Sequence, residues 1–295
     1  MSTLLKEEAR KELASLGWWY QHFELPNGLR TGDGSEPAYR PELRWRLIEP
    51  FVPPDLAGKS VLDLGGNAGY FSIQMKLRGA ARCVLVEPYD EFIAQARFAT
   101  RQFGVEIEIR QEDAHVYCLT TAERFDYVLF LGLFYHLKYP EIVLDRTAEM
   151  TKERLFLVSN VLGQEAPVPE QKQNYERFSD DRILEDPVFP RMAFIENLYN
   201  GDPTNWWLPN YEALPALLRS AGMKVVGRPH SHVVIAEPER YLGKAEYGNL
   251  VFPRYGKSGH SLHPGKQQVD SELWAELCER AVKFQRSEAE RDSGG

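Results

Sequence analysis

The stretch VLDLGGNAGYFS, Val61–Ser72, carries an apolar β-type run through Asp63 into Gly65, Gly66, Asn67 and Gly69, and then turns helical. Such a bend gathers backbone N–H groups and the positive end of a helix at one point, and glycines let a ligand approach that backbone closely. The usual glycine fingerprint puts glycine where Asn67 stands. Asparagine is the non-glycine residue that best tolerates a left-handed backbone, so Asn67 is expected to hold the turn. Alone, the loop reads equally as a tight turn with no ligand. A second group sharpens it: CVLVEP ends the next β-type run in Glu87, near the roughly 20-residue offset at which a carboxylate accepts from ribose hydroxyls in doubly wound folds. A third, Asp113 in RQEDAHVY, follows the third run, where a carboxylate can accept from an adenine amino group. The carboxyl ends of successive strands form the ligand crevice of an open parallel sheet.

Further along, FYHLKYP offers Tyr135 and His136. The imidazole is a candidate base, since it is half-neutral near pH 6.5, and the alternative is a ring that bonds the backbone of its own loop. Tyr135 either orients a ligand or packs. YNGDPTNWWLPN holds Tyr199, Asn205, Trp206 and Trp207. Two adjacent tryptophans cannot share one side of a regular strand, so one of them lines a pocket or both cover a sheet edge. Large aromatics attract cations and wall flat ligands. GWWYQHF poses the same choice for Tyr20 and His22.

These residues need a scaffold. Short β-rich runs near 60–64, 82–87, 105–110, 126–131 and 154–160 alternate with helical periods near 68–78, 89–103 and 140–150, which implies an α/β fold with a mostly parallel sheet covered on both faces. Residues 58–238 form the expected domain, with an insertion at 162–208 whose polar, Pro-interrupted first part reads as a lid. PNYEALPALLRSAGM reads as a helix, and KVVGRP with SHVVIAEP as a late hairpin. Before the domain lies an N-terminal helical extension and loop, 1–57, in which Leu4, Leu5, Ala9, Leu13 and Leu16 keep helical spacing. After it come a loop and a C-terminal helix with a frayed end, 239–295.

The 295 residues, 43% hydrophobic and 26% charged, match an ordinary globular composition. No apolar run approaches the roughly 18 residues of a membrane helix, and the N-terminus lacks a signal-peptide core, so a cytoplasmic location without membrane association is expected. Cys83, Cys118 and Cys278 are too far apart for a disulfide framework or a zinc spacing, and no metal site is expected. A net charge of -8 supplies no global attraction to a polyanion. Nothing in the sequence sets the oligomeric state.

With VLDLGGNAG, VLVEP, QEDA and FDYVLFLGLFYHLKYP in place, the chain resembles class I S-adenosylmethionine-dependent methyltransferases. The resemblance implies a Rossmann-like sheet of seven strands with the last pair reversed. It also implies that Asp63, Gly65 and Gly69 surround the methionine part of the cofactor, Glu87 the ribose, and Asp113 with Ala114 the adenine. FYHLKYP and WWYQHFELPNG further resemble the tRNA wobble-uridine carboxymethyltransferases, which use carboxy-S-adenosylmethionine and keep a tyrosine, matched by Tyr135, near the transferred group. Their carboxylate-binding lysine and arginine find no counterpart, and no Lys/Arg cluster is expected near the site. The expected cofactor is therefore plain S-adenosylmethionine, and the expected acceptor an oxygen or nitrogen of a small or medium-sized metabolite. A tRNA wobble uridine, with the carboxylated cofactor, is the alternative. A non-catalytic cofactor-binding partner is a third.

Overall fold

The computed structural model describes residues 3–32, 39–166, 175 and 179–239. The expected C-terminal helix lies outside them. In chain order the helices are α1 (Thr3–Ser15), α2 (Pro41–Ile48), α3 (Tyr70–Leu77), α4 (Asp90–Phe103), α5 (Ala114–Thr120), α6 (Pro140–Met150), α7 (Asp181–Glu185) and α8 (Ala213–Ser220). The strands are β1 (Ser60–Leu64), β2 (Arg82–Val86), β3 (Glu108–Arg110), β4 (Phe125–Leu131), β5 (Thr151–Val158), β6 (Met192–Phe194), β7 (Trp207–Pro209), β8 (Met223–His230) and β9 (Val233–Pro238).

The main sheet has seven strands in the order β3-β2-β1-β4-β5-β9-β8. The pairs among β1 to β5 are parallel, while β9 runs antiparallel to both β5 and β8. The reversed final pair is therefore present. The order changes direction between β1 and β4, and in open sheets that switch point is where the crevice opens.

Strand alternation sorts the core into two faces. Val61, Tyr127, Leu129, Phe156 and Ile235 point to one side, and Leu62, Val128, Phe130, Leu155 and Val234 to the other. Helices α5, α6 and α8 cover the second face, with Tyr117, Cys118, Val143, Leu144, Leu214 and Leu218 packed on it. The first is covered by α3 and α4 together with the N-terminal extension, whose Trp19, Phe23, Trp45 and Ile48 belong to the same core as Phe71 and Phe98. The extension is thus part of the domain's packing.

Several elements depart from the sequence reading. Helix α3 starts at Tyr70 because the loop continues through Gly69, which is left-handed and caps the helix. Strand β5 begins at Thr151, directly after α6. Helix α5 was not expected, nor was the small antiparallel pair β6 and β7 inside the insertion. Cys83 and Cys118 are buried thiols whose pKa burial pushes up to about 12, which makes them inert packing groups.

The extension also reaches the far edge of the sheet. A Cβ on Gly227 of β8 would come within 2.5 Å of Cε1 of Phe51, in the short helical turn Glu49–Phe51 after α2. Gly227→Ala is expected to destabilise the chain by about 1–3 kcal/mol, the usual penalty of overpacking, read as a lower urea midpoint with an unchanged slope. An unchanged midpoint would show that the turn does not dock there.

Candidate active site

The bend after β1 is held by three left-handed residues, Gly65 (φ 67°), Asn67 (φ 53°) and Gly69 (φ 80°). Asn67 takes the conformation expected of it, and its Oδ1 accepts from the Ala68 N–H at 2.8 Å. The Gly65 N–H donates to the Val86 carbonyl at 2.8 Å, tying the bend to the end of β2. Close approach fixes glycine at 66, where a Cβ would stand 2.8 Å from the Leu85 side chain and 2.9 Å from Asp63 Oδ2. Asp63 lies buried beneath the loop and accepts from Ser72 Oγ at 2.8 Å. Burial raises its pKa to about 6, partly offset by the bonds from Ser72.

Glu87 reaches the bend from the end of β2. Its Oε2 accepts from the Asn67 N–H at 3.0 Å and its Oε1 from the Tyr89 N–H at 3.3 Å. Only 4% exposed, the carboxyl is pushed up to about 7 by burial, against those two backbone bonds, with Asp63 adding to the rise. A carboxylate has about four acceptor positions, so two remain for hydroxyl donors. This suits a vicinal diol.

The N-terminal extension supplies a partner that sequence reasoning did not single out. Gln21, buried, accepts from the Tyr70 N–H at 3.3 Å through Oε1, and its Nε2 reaches the Gly66 carbonyl at 3.5 Å. A pyrophosphate binds at this helix terminus in dinucleotide folds. Here a side-chain amide occupies the first N–H of α3. The loop therefore fits a nucleoside without a phosphate in that position.

Asp113 caps α5, with Oδ1 accepting from the His115 N–H at 2.7 Å, and Ala114 opens the helix. With Oδ1 so used, Oδ2 is the oxygen available to an amino group.

At the carboxyl end of β4 a second cluster forms. Tyr20 and Tyr39 stack with ring centres 4.8 Å apart, and the Arg44 guanidinium lies 4.8 Å from the Tyr39 ring centre. A Cβ on Gly132 would stand 2.9 Å from Arg44 Nη1 and 3.6 Å from Tyr135 Oη. Burial holds all three tyrosines above their usual range, Tyr135 at about 12, so they stay protonated. No Lys/Arg cluster was expected near the site, and the structure brings one guanidinium there, that of Arg44, which no local pattern marks. Among the described residues no carboxylate pairs with it.

The insertion closes over the turn Phe134–His136 that follows β4. The Trp206 N–H donates to the Tyr135 carbonyl at 2.8 Å and Trp207 Nε1 to the Lys138 carbonyl at 3.1 Å. Both indoles pack on Phe194 of β6, and Lys138 Nζ lies 5.1 Å from the Trp206 ring centre. The Trp207 indole N–H is thereby used within the protein. His136 Nδ1 meets Thr204 Oγ1 at 2.8 Å, and Thr204 Oγ1 donates to Asp202 Oδ1 at 2.6 Å. Asn205 is buried beside them, while Tyr199 sits in the preceding exposed turn. His22 is not brought to this cluster by its hydrogen bonds: its Nε2 meets the Trp19 carbonyl at 2.8 Å and its ring fills the space over Gly32.

Glu87 makes stability depend on pH. Its folded pKa of about 7 lies above its ordinary value of 4.5, so its contribution is fully present below about 4.5 and is lost as pH rises through about 7. Glu87→Gln removes the buried charge and keeps an acceptor oxygen. Its melting temperature relative to the parent chain is expected to rise by about 3–6 °C between pH 5 and pH 8. A difference that does not change with pH would show that the carboxyl titrates normally.

Comparison with known proteins agrees with this geometry. The family model described as Methyltransferase domain matches residues 38–227. The chain is similar to a tRNA U34 carboxymethyltransferase of Pseudoalteromonas translucida, 25% identical over 213 residues that cover 72% of this chain and 59% of the relative. A second, from Shewanella piezotolerans, is 30% identical over 102 residues, 35% of this chain and 31% of the relative. The chain thus spans well under two thirds of the curated relatives it matches. Among solved structures, the N-terminal domain of EvdMO1, crystallised with SAH bound, has the same fold, with a TM-score of 0.56 and 21% identity over 81% of this chain and 98% of that one. A second structure, of EvdMO1, matches with a TM-score of 0.53 and 22% identity, covering 81% of this chain and 49% of that one. With the seven-stranded sheet and its reversed last pair, the chain belongs to the methyltransferase-domain family, on the class I fold whose enzymes use S-adenosylmethionine.

Proposed function

We propose that this chain transfers a methyl group from S-adenosylmethionine to an oxygen or nitrogen of a small or medium-sized acceptor. The observation that carries the reading is the junction at the bend after β1. Glu87 is held by the Asn67 and Tyr89 N–H groups with acceptor positions to spare, while Gln21 takes the helix terminus that a pyrophosphate would need. When bound, the cofactor supplies an electrophilic methyl group on a cationic sulfur. The chain's own groups bind and orient. Glu87 accepts from the two ribose hydroxyls, Asp113 Oδ2 and Ala114 flank the adenine, and Gly65 and Gly69 let the methionine part approach the backbone. Tyr20, Tyr39 and Tyr135 offer rings and neutral hydroxyls at the end of β4, where a cation is attracted to aromatic faces. The insertion, laid on the turn with Tyr135 and His136, excludes water from that end. Tyr199, Asn205 and Trp206 stand on it as acceptor contacts.

A second reading is favoured by one observation. A fixed guanidinium at Arg44 repels a bare sulfonium, whereas a carboxylate on the transferred group would separate the two charges. Transfer of a carboxymethyl group to a tRNA wobble uridine, the activity named for the relatives, would use Arg44 in this way.

Two measurements test these readings. Glu87→Ala is expected to weaken SAH binding by calorimetry about 10–100-fold, the effect of two hydrogen bonds to a charged group, with the fold intact by circular dichroism. Unchanged affinity would remove the ribose assignment. Under the first reading S-adenosylmethionine binds at least as tightly as its carboxylated form, in both the parent chain and Arg44→Leu. Tenfold tighter binding of the carboxylated form, lost in Arg44→Leu and accompanied by salt-sensitive retention on immobilised tRNA, would select the second.

A further inference from the structure

His136 is bound in a way that fixes which of its nitrogens carries the proton. Its Nδ1 has two neighbours, Thr204 Oγ1 at 2.8 Å and the Thr204 carbonyl at 3.3 Å. The carbonyl only accepts. Asp202 Oδ1 takes both the Thr204 hydroxyl, at 2.6 Å, and the Thr204 N–H, at 2.8 Å. Burial works to raise the Asp202 carboxyl, but these bonds outweigh it and hold it below its usual range, so it is ionised and only accepts. The single hydroxyl proton of Thr204 is therefore spent on Asp202, and Oγ1 has only lone pairs to offer Nδ1. Both neighbours require Nδ1 to be the donor. Nε2 is left with its lone pair.

We propose that Asp202 and Thr204 are positioning residues that hold His136 in the Nδ1-protonated tautomer, leaving Nε2 as the base that takes the proton of an acceptor hydroxyl. The inference rests on the methyl-transfer reading and deepens it, because a relay ending in a bare nitrogen serves a nucleophile that must lose a proton. The acceptor class is an alcohol or phenol. As the hydroxyl oxygen forms its bond to the methyl carbon, its O–H proton passes to Nε2. The carbon–sulfur bond breaks with its electron pair kept on sulfur, and the imidazolium then returns the proton to water. The charges around the ring suit this role. Asp202 faces it through Thr204, and Tyr135 and Lys138 lie on its own segment. Burial holds the ring below the usual imidazole range, with Asp202 and Thr204 offsetting only part of the effect, so it is neutral at pH 7. Asn205, 4% exposed and next to Thr204, packs beside this relay, with its Nδ2 reaching the Asp202 carbonyl at 3.5 Å.

The test needs no knowledge of the acceptor. Long-range proton–nitrogen correlation spectra of the full chain, labelled with 15N and recorded at pH 7.5 with and without SAH, report the tautomer of each histidine, and His136→Gln assigns the signal. The expected spectrum shows His136 with a pyrrole-type Nδ1 and a pyridine-type Nε2. Asp202→Ala frees the Thr204 hydroxyl to donate to Nδ1, so part of the population should move to Nε2–H, the Thr204 carbonyl still favouring a proton on Nδ1. Thr204→Ser should keep the parent pattern. An Nε2-protonated ring in the parent chain, or an unaltered tautomer in a folded Asp202→Ala chain, would overturn the proposal. Thr204→Val, expected to move part of the population to Nε2–H, gives an independent reading should Asp202→Ala not fold. Calorimetry with SAH on the same samples separates the two levels: a parent chain that shows the expected tautomer but fails to bind SAH would strike the methyl-transfer reading and leave the relay standing.

Discussion

The hydrogen bond from the Asn67 N–H to Glu87 Oε2 sets the constraint on which the cofactor site depends. It joins two crossovers that are remote in sequence, the bend after β1 and the end of β2, and the bend reaches Glu87 only because residues 65, 67 and 69 adopt left-handed backbone. A carboxyl group this deeply buried is expensive to ionise, and two backbone donors satisfy it only in part. Acceptor positions remain on it beyond those two bonds. Under the proposed reading a pair of hydroxyl donors would restore what burial removed, so a group that destabilises the bare chain would serve affinity in the complex.

The second constraint comes from the N-terminal extension. Gln21 occupies the first N–H of α3, and Tyr20, Tyr39 and Arg44 reach the end of β4 from the same segment. In the proposed reading a general nucleotide fold is narrowed in this way at both ends of the crevice, toward a nucleoside without phosphate at the bend and toward a polar aromatic chamber at the end of β4. The insertion supplies the remaining wall. It is held on the segment 134–138 by the Trp206 N–H on the Tyr135 carbonyl, by the Trp207 indole on the Lys138 carbonyl and by the His136 ring on Thr204.

The central fold and the meeting of Glu87 with the glycine bend were legible in the sequence because each has a local cause. Alternating apolar runs gave the strands, the steric tolerance of asparagine gave Asn67 its left-handed conformation, and the offset from the glycine loop singled out Glu87. The acceptor side was not legible to the same degree. Gln21 meets Gly66, and His136 meets Thr204, across long stretches of chain, and no periodicity or spacing marks such pairs. Arg44 sits in a helix with Arg46 two residues on, and only tertiary packing brings it to Gly132. The tryptophan pair was read as a choice between pocket and packing; β6 and β7 draw both indoles onto Phe194, a pairing hidden in what looked like loop.

The bend is proposed to hold a nucleoside through its diol, the helix terminus that a phosphate would need being taken by Gln21. Competition between SAH and NAD for the full chain, followed by equilibrium dialysis with labelled SAH, examines it directly. The account predicts saturable SAH binding at one site that a large excess of NAD does not displace. Displacement by NAD at concentrations comparable to SAH, or no SAH binding at all, would contradict it.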